Sequence, residues 1–125
     1  MIKLYDSEFK VMEVLWKKGP QYAKDISLIL MDEIGWSKNT TYTILNKLIN
    51  KSYILREEPQ FKCIPLITRQ QVQTCALEDI KNKMFGGSPS ILLSSLLNLE
   101  NLSMAELDYM QLLLDKSKEK RENDK

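Results

Sequence analysis

Between Trp36 and Lys51 the chain reads WSKNTTYTILNKLINK, and its apolar residues repeat with the period of a single helix. Thr41, Ile44, Leu45, Leu48 and Ile49 fall on one stripe, the spacing that packs a helix onto a core. The opposite side carries Asn39, Thr40, Tyr42, Thr43, Asn46, Lys47, Asn50 and Lys51, and no carboxylate occurs anywhere in the run. Solvated helix faces usually mix acidic with basic residues. A face that lies in a DNA groove excludes acids, because phosphates surround it and base edges take amides, hydroxyls and short polar groups. A solvated helix that merely lacks acids is the plainer alternative, so the flanking segments decide.

Upstream, the pattern predicts a helix from Asp6 or Ser7 to Gly19-Pro20, with Phe9, Val11, Met12, Leu15 and Trp16 inward and Lys10, Glu13, Lys17 and Lys18 outward. Glycine suits a left-handed cap and proline cannot continue a helix, so Gly19-Pro20 is a strong stop. A second helix is predicted over Ala23 to Ile34, with Ile26, Ile29, Leu30 and Ile34 inward and Gly35 ending it. Ser37 is placed to cap the third helix by accepting a bond from an amide near Thr40. Downstream, Tyr53 to Glu57 and Phe61 to Pro65 alternate in polarity around Glu58-Pro59-Gln60, which reads as a hairpin turn. Three helices and a small hairpin describe a winged helix-turn-helix, in which the third helix enters the major groove and the hairpin lies along the backbone.

From Thr68 onward helix formers dominate. Thr68 to Gln71 and Ser103 to Glu106 have capping-box spacing, and Ser88-Pro89 starts a helix with proline in its first turn. Three helices are predicted at about 69–85, 89–98 and 104–121, with a charged tail from Lys116 to Lys125 that frays. The middle helix carries Ile91, Leu92, Leu93, Leu96 and Leu97, and the last carries Leu107, Met110, Leu113 and Leu114 on one side. So much apolar surface exceeds what this short region hides internally. Folding back onto the N-terminal domain is one solution. The favoured one is burial against a second copy, with Ile91, Leu92, Leu96, Leu97, Leu107, Met110, Leu113 and Leu114 at the interface. The fold expected is thus mainly α: a winged helix-turn-helix domain with a small β wing over residues 1–66, then a three-helix dimerisation region over 67–125.

Charge and absences narrow the function. The totals, 18 basic against 17 acidic residues, say nothing of partners, but the window 38–62 holds Lys38, Lys47, Lys51, Arg56 and Lys62 against only Glu57 and Glu58. That is a modest local basic footprint. Histidine is absent, and neither Cys63 nor Cys75 belongs to a paired-cysteine motif, so triad chemistry, zinc sites and other metal centres find no ligands. Gly86-Gly87 followed by Ser88-Pro89 is a linker rather than a phosphate loop. No enzyme, cofactor or metal is expected. No apolar run reaches the length of a membrane span and MIKLYDSEF lacks the core of a secretory signal, which points to the cytoplasm. There, Cys63 and Cys75 are most simply free buried thiols, with a disulfide or a thiol sensor as the alternative.

Asp6 to Trp16, DSEFKVMEVLW, resembles the opening helix of the BlaI/MecI/CopY penicillinase-repressor family, and Trp36 to Leu48 resembles that family's recognition helix. Lys51 to Leu55 and Phe61 to Pro65 are similar to its wing. The match is specific over about residues 5–66 and looser, in length and helical pattern, beyond them. The resemblance implies a dimeric repressor that binds inverted-repeat operators upstream of resistance or metal-homeostasis genes. It also implies a membrane-bound sensor protease as partner in some members and, in others, release of DNA on binding copper through a cysteine cluster near the C-terminus. No cysteine follows Cys75 here. The position matching the family's Asn-Phe scissile bond falls at Ser95-Leu96, the candidate proteolysis region.

By position, the family's base contacts fall on Asn39, Thr40, Tyr42 and Thr43, which the face analysis selects independently. Asparagine pairs with adenine N6 and N7, and threonine methyls meet the thymine methyl, chemistry suited to the TACA and TGTA half-sites the resemblance implies. Tyr42 either joins this readout or sends its phenol to a phosphate. Ser37, Lys38, Lys47, Lys51, Arg56 and Lys62 are the candidate backbone contacts, with plain solvation the alternative for each lysine. A different class of function, a winged-helix adaptor that binds proteins rather than specific DNA, fits the near-neutral total charge.

Overall fold

The computed structural model describes residues 1–124. The elements run α1 (Asp6–Lys18), β1 (Gln21–Tyr22), α2 (Ala23–Ile34), α3 (Lys38–Asn50), β2 (Ile54–Glu57), β3 (Lys62–Pro65), α4 (Arg69–Met84), α5 (Pro89–Leu97) and α6 (Met104–Asn123). Local signals set these bounds. Gly19 and Gly35 end α1 and α2 at φ 80° and 74°, values that favour glycine, and the Gly35 amide donates to the Met31 carbonyl at 3.0 Å. Thr68 and Gln71 form a reciprocal capping box at α4, at 2.9 and 3.1 Å. Ser88 and Ser103 accept from the Ile91 and Glu106 amides at α5 and α6.

The core lies among α1, α2, α3 and the sheet. Val11, Met12, Val14 and Leu15 of α1 meet Ala23, Ile26 and Leu30 of α2 and Ile44, Leu45 and Leu48 of α3, with Ile54, Cys63 and Ile67 closing it. Two details differ from the sequence expectation. Val14 is buried, whereas Phe9 and Trp16 are half-buried at the edge, their rings edge-to-face at 5.5 Å and the Trp16 indole donating to the Ile67 carbonyl at 2.9 Å. Ile34, expected inward, is 42% exposed in the last turn of α2.

The hairpin β2–β3 pairs Glu57 with Lys62 and Ile54 with Pro65. A third strand was not legible in the sequence: β1, two residues long, pairs Gln21 with Cys63 and Tyr22 with Lys62, giving the antiparallel order β1-β3-β2. It lashes the start of α2 to the wing. The charged tail expected to fray continues as helix to Asn123, while Lys125 lies outside the described residues. Lys and Glu are good helix formers, and Lys120 and Arg121 in the last turn oppose the negative end of the helix dipole.

The chain divides into two compact units between Ile80 and Lys81. The first therefore extends past the Leu66 boundary expected from the sequence, because Ile67 is buried and Val72 packs on the same core. In the second, no residue of α5 or α6 is buried.

An ion pair between a buried carboxylate and a partly exposed lysine ties α1 to the end of α3. Glu8 is 1% exposed; its carboxylate accepts from the Tyr5 amide at 2.9 Å and from Lys51 Nζ at 2.8 Å, and Lys51 also lies 4.8 Å from the Tyr5 ring centre. Removing Lys51 strands a buried charge. Lys51→Ala is expected to cost about 1–3 kcal/mol in urea unfolding, and Glu8→Gln/Lys51→Met less than Lys51→Ala alone. An unchanged midpoint for Lys51→Ala would show that the pair contributes nothing.

Cys63 faces the same core, and burial pushes its thiol up to about 11 from 9.0, against a smaller lowering by nearby Arg56. Below pH 9 the sulfur is protonated in both states; above it the unfolded chain ionises first, so stability is lost as pH rises toward 11. Unfolding free energies of wild type and Cys63→Val at about pH 8 and about pH 10.5 should show a steeper fall for wild type. Parallel falls would contradict it.

Candidate nucleic-acid interface

Helix α3 begins where Ser37 can cap it. Ser37 Oγ accepts from the Thr40 amide at 3.2 Å and lies 3.0 Å from the Thr40 hydroxyl, as the cap position anticipated. Thr41, Ile44, Leu45 and Leu48 are then buried, and Ile49 packs partly against the core. That anchoring leaves Asn39, Thr40, Thr43, Asn46, Lys47 and Asn50 exposed on one continuous surface, with no acid in the first turn. The positive end of the helix dipole also lies there, a further favourable feature for phosphate.

Tyr42 sits between the two parts of the motif. Its ring is half-buried and meets Phe61 edge-to-face, with centroids 5.6 Å apart and planes at 86°. Lys38 Nζ lies 5.5 Å from the Tyr42 ring centre, and the Arg56 guanidinium stacks 3.7 Å from the centre of Phe61. Arg56 also pairs with Glu58 at the wing turn, which offsets one of the two acids there. Lys62, half-buried, faces Glu57 and Tyr22 across the sheet.

Lys51 differs most from the sequence reading. Expected as a phosphate contact, its ammonium pairs with buried Glu8 at 2.8 Å while its side chain stays 33% exposed. Phe61 and Glu8 were not singled out from sequence as site residues. Phe61 carried a weak signal, an aromatic just after a turn, whereas a glutamate in the first turn of a helix looks like ordinary surface charge.

In the second unit, Ile91, Leu96, Leu97, Leu113 and Leu114 are each at least 40% exposed, and Leu92, Leu107 and Met110 are half-buried. Ser95 and Leu96 are exposed near the end of α5. Among the described residues no group of acidic, cysteine or histidine side chains could hold a metal ion, and no helix is long and apolar enough to cross a membrane.

Comparison with known proteins agrees with this geometry. The penicillinase repressor family model matches residues 4–116. The methicillin resistance regulatory protein MecI of Staphylococcus aureus strain N315 is 23% identical over 116 residues, covering 91% of this chain and 94% of that protein. The penicillinase repressor of Bacillus licheniformis is 23% identical over 121 residues, covering 95% and 94%. The solution structure of the DNA binding domain of the repressor BlaI superposes with a TM-score of 0.51 at 28% identity, covering 54% of this chain and 84% of that one. With a core-docked third helix, a three-stranded wing and a match across nearly its whole length, this chain belongs to the penicillinase repressor family, a family of winged-helix transcriptional repressors and not of enzymes.

Proposed function

We propose that the chain acts in the cytoplasm as a homodimer that binds an inverted-repeat operator, inserting α3 of each copy into the major groove and repressing a resistance or stress-response gene. The observation that carries this is the exposed face of α3, wholly uncharged or cationic while its other face is buried. Asn39, Thr40 and Thr43 read base edges, and Tyr42 joins them. Ser37, Lys38, Lys47, Lys51, Arg56 and Lys62 are assigned to the phosphate backbone, where they position the helix without reading sequence. The names of the relatives, regulators of methicillin resistance and of penicillinase, support a gene of antibiotic resistance as the target.

Dimerisation through α5 and α6 is supported by the apolar side chains left uncovered there. Two recognition helices held together bind one operator far more tightly than either alone, through effective concentration. A membrane-bound sensor protease is the partner the family adds. At Ser95-Leu96 it would meet a residue pair other than Asn-Phe, so a protease acting there must accept a small polar residue before leucine.

Asn39→Ala or Thr43→Ala is expected to cost on the order of 1–3 kcal/mol on the cognate operator and to relax its sequence preference. Lys47→Ala is expected to weaken all duplexes alike and to reduce the salt slope by about one. Titrations of labelled duplex at several salt concentrations measure both; wild-type affinity in Asn39→Ala and Thr43→Ala would refute the recognition face. A protein-binding adaptor would show no salt-sensitive duplex binding at all. Leu96→Asp and Leu113→Asp are expected to sediment as monomers with much weaker operator binding, and a wild-type chain that is monomeric at micromolar concentration would end the dimer proposal.

A further inference from the structure

The backbone at Phe61 is in an unusual state. Its φ is 55°, the left-handed region that glycine or asparagine adopts cheaply and a bulky aromatic does not. Two bonds hold it there: the Phe61 carbonyl accepts from the Ala23 amide at the start of α2, at 2.9 Å, and from the Cys63 thiol at 3.9 Å. Turn chemistry alone would favour a smaller residue. The half-buried ring instead meets Tyr42 at a near-right angle and carries the Arg56 guanidinium over its face, while Lys38 Nζ lies 5.5 Å from the Tyr42 ring centre. Lys38, Tyr42, Phe61 and Arg56 thus form a continuous column of cation, ring, ring and cation from the first turn of α3 to the wing.

Resting on the DNA-binding reading above, we infer that Phe61 is a positioning residue for sequence readout: it fixes the aim of Tyr42, and the column locks the angle between α3 and the wing. A tyrosine ring has two free torsions and, unsupported on an exposed helix face, would sample several rotamers. Contact with Phe61 restricts it to one, so its edge and hydroxyl meet the duplex at one place. A ring held this way discriminates between bases, whereas a freely rotating ring adds contact without choice. Arg56 serves the column as well as any phosphate, because its guanidinium is already stacked.

The test uses the full-length chain and two probes: the duplex that wild type enriches from a random-sequence pool, and a scrambled duplex of equal length and composition. Phe61→Asn relieves the left-handed backbone while removing the ring, and Tyr42→Leu removes the other ring while keeping an apolar side chain at a half-buried position, so at least one of the two is expected to remain folded by circular dichroism. Each is expected to reduce the ratio of selected to scrambled affinity about tenfold, close to one good base contact. Phe61→Tyr, which keeps the ring, is expected to restore the ratio. The double variant Phe61→Asn/Tyr42→Leu is expected to lose no more than Tyr42→Leu alone, since both act through one ring. Equal weakening of Phe61→Asn on both duplexes, or additive losses in the double variant, would overturn the positioning role while leaving DNA binding intact. A wild-type chain that enriches no duplex would instead overturn the DNA-binding reading itself.

Discussion

The docking of α3 through Thr41, Ile44, Leu45 and Leu48 is the constraint from which the rest of the structure follows. A single helix cannot present a wholly polar, acid-free surface unless its other side is fixed firmly enough to stop it from rolling. Here Leu45 and Leu48 are fully buried against α1 and α2, and each such side chain stabilises the fold by roughly 1.5–3 kcal/mol. The Glu8–Lys51 pair then holds the end of α3 to the start of α1, and the Ser37 cap holds its beginning. With both ends and one face secured, the outward residues are free of the core and do not decide how α3 docks.

The wing depends on the same arrangement. β3 is flanked by β2 and by the short β1, so the chain entering α2 is bonded to the hairpin on one side while Phe61 meets α3 on another. The wing is therefore coupled to the helices twice, to the start of α2 through backbone and to α3 through edge-to-face rings. A surface assembled from two elements can read a duplex as one body only if such couplings exist.

Much of this was legible in the sequence, for identifiable reasons. Helix limits followed from Gly19, Gly35, Ser37, Thr68, Ser88 and Ser103, which act over three or four residues and need no tertiary context. The buried stripe of α3 followed from periodicity, and so did its outer face. What escaped depends on residues distant in the chain. Glu8 and Lys51 are ordinary surface types until folding brings them within 2.8 Å. β1 has only two residues and no pattern of its own; it exists because β3 offers an edge. Ile34 had the right spacing to be inward but lies in the last turn of α2, at the open edge of the packing against α1, and stays 42% exposed. The contact between Tyr42 and Phe61, nineteen positions apart, likewise has no local signal.

The second unit is understood less through its own packing than through what it leaves open, since leucines on α5 and α6 stay uncovered in the single chain. Covering them with a second copy would set the spacing between two α3 helices, and that spacing has a direct signature on DNA. Hydroxyl-radical footprinting of the full-length chain on its selected duplex is expected to show two protected tracts on one side of the helix, their centres about one turn or a whole number of turns apart. A single tract, or protection spread evenly along the duplex, would contradict paired recognition helices seated in the major groove.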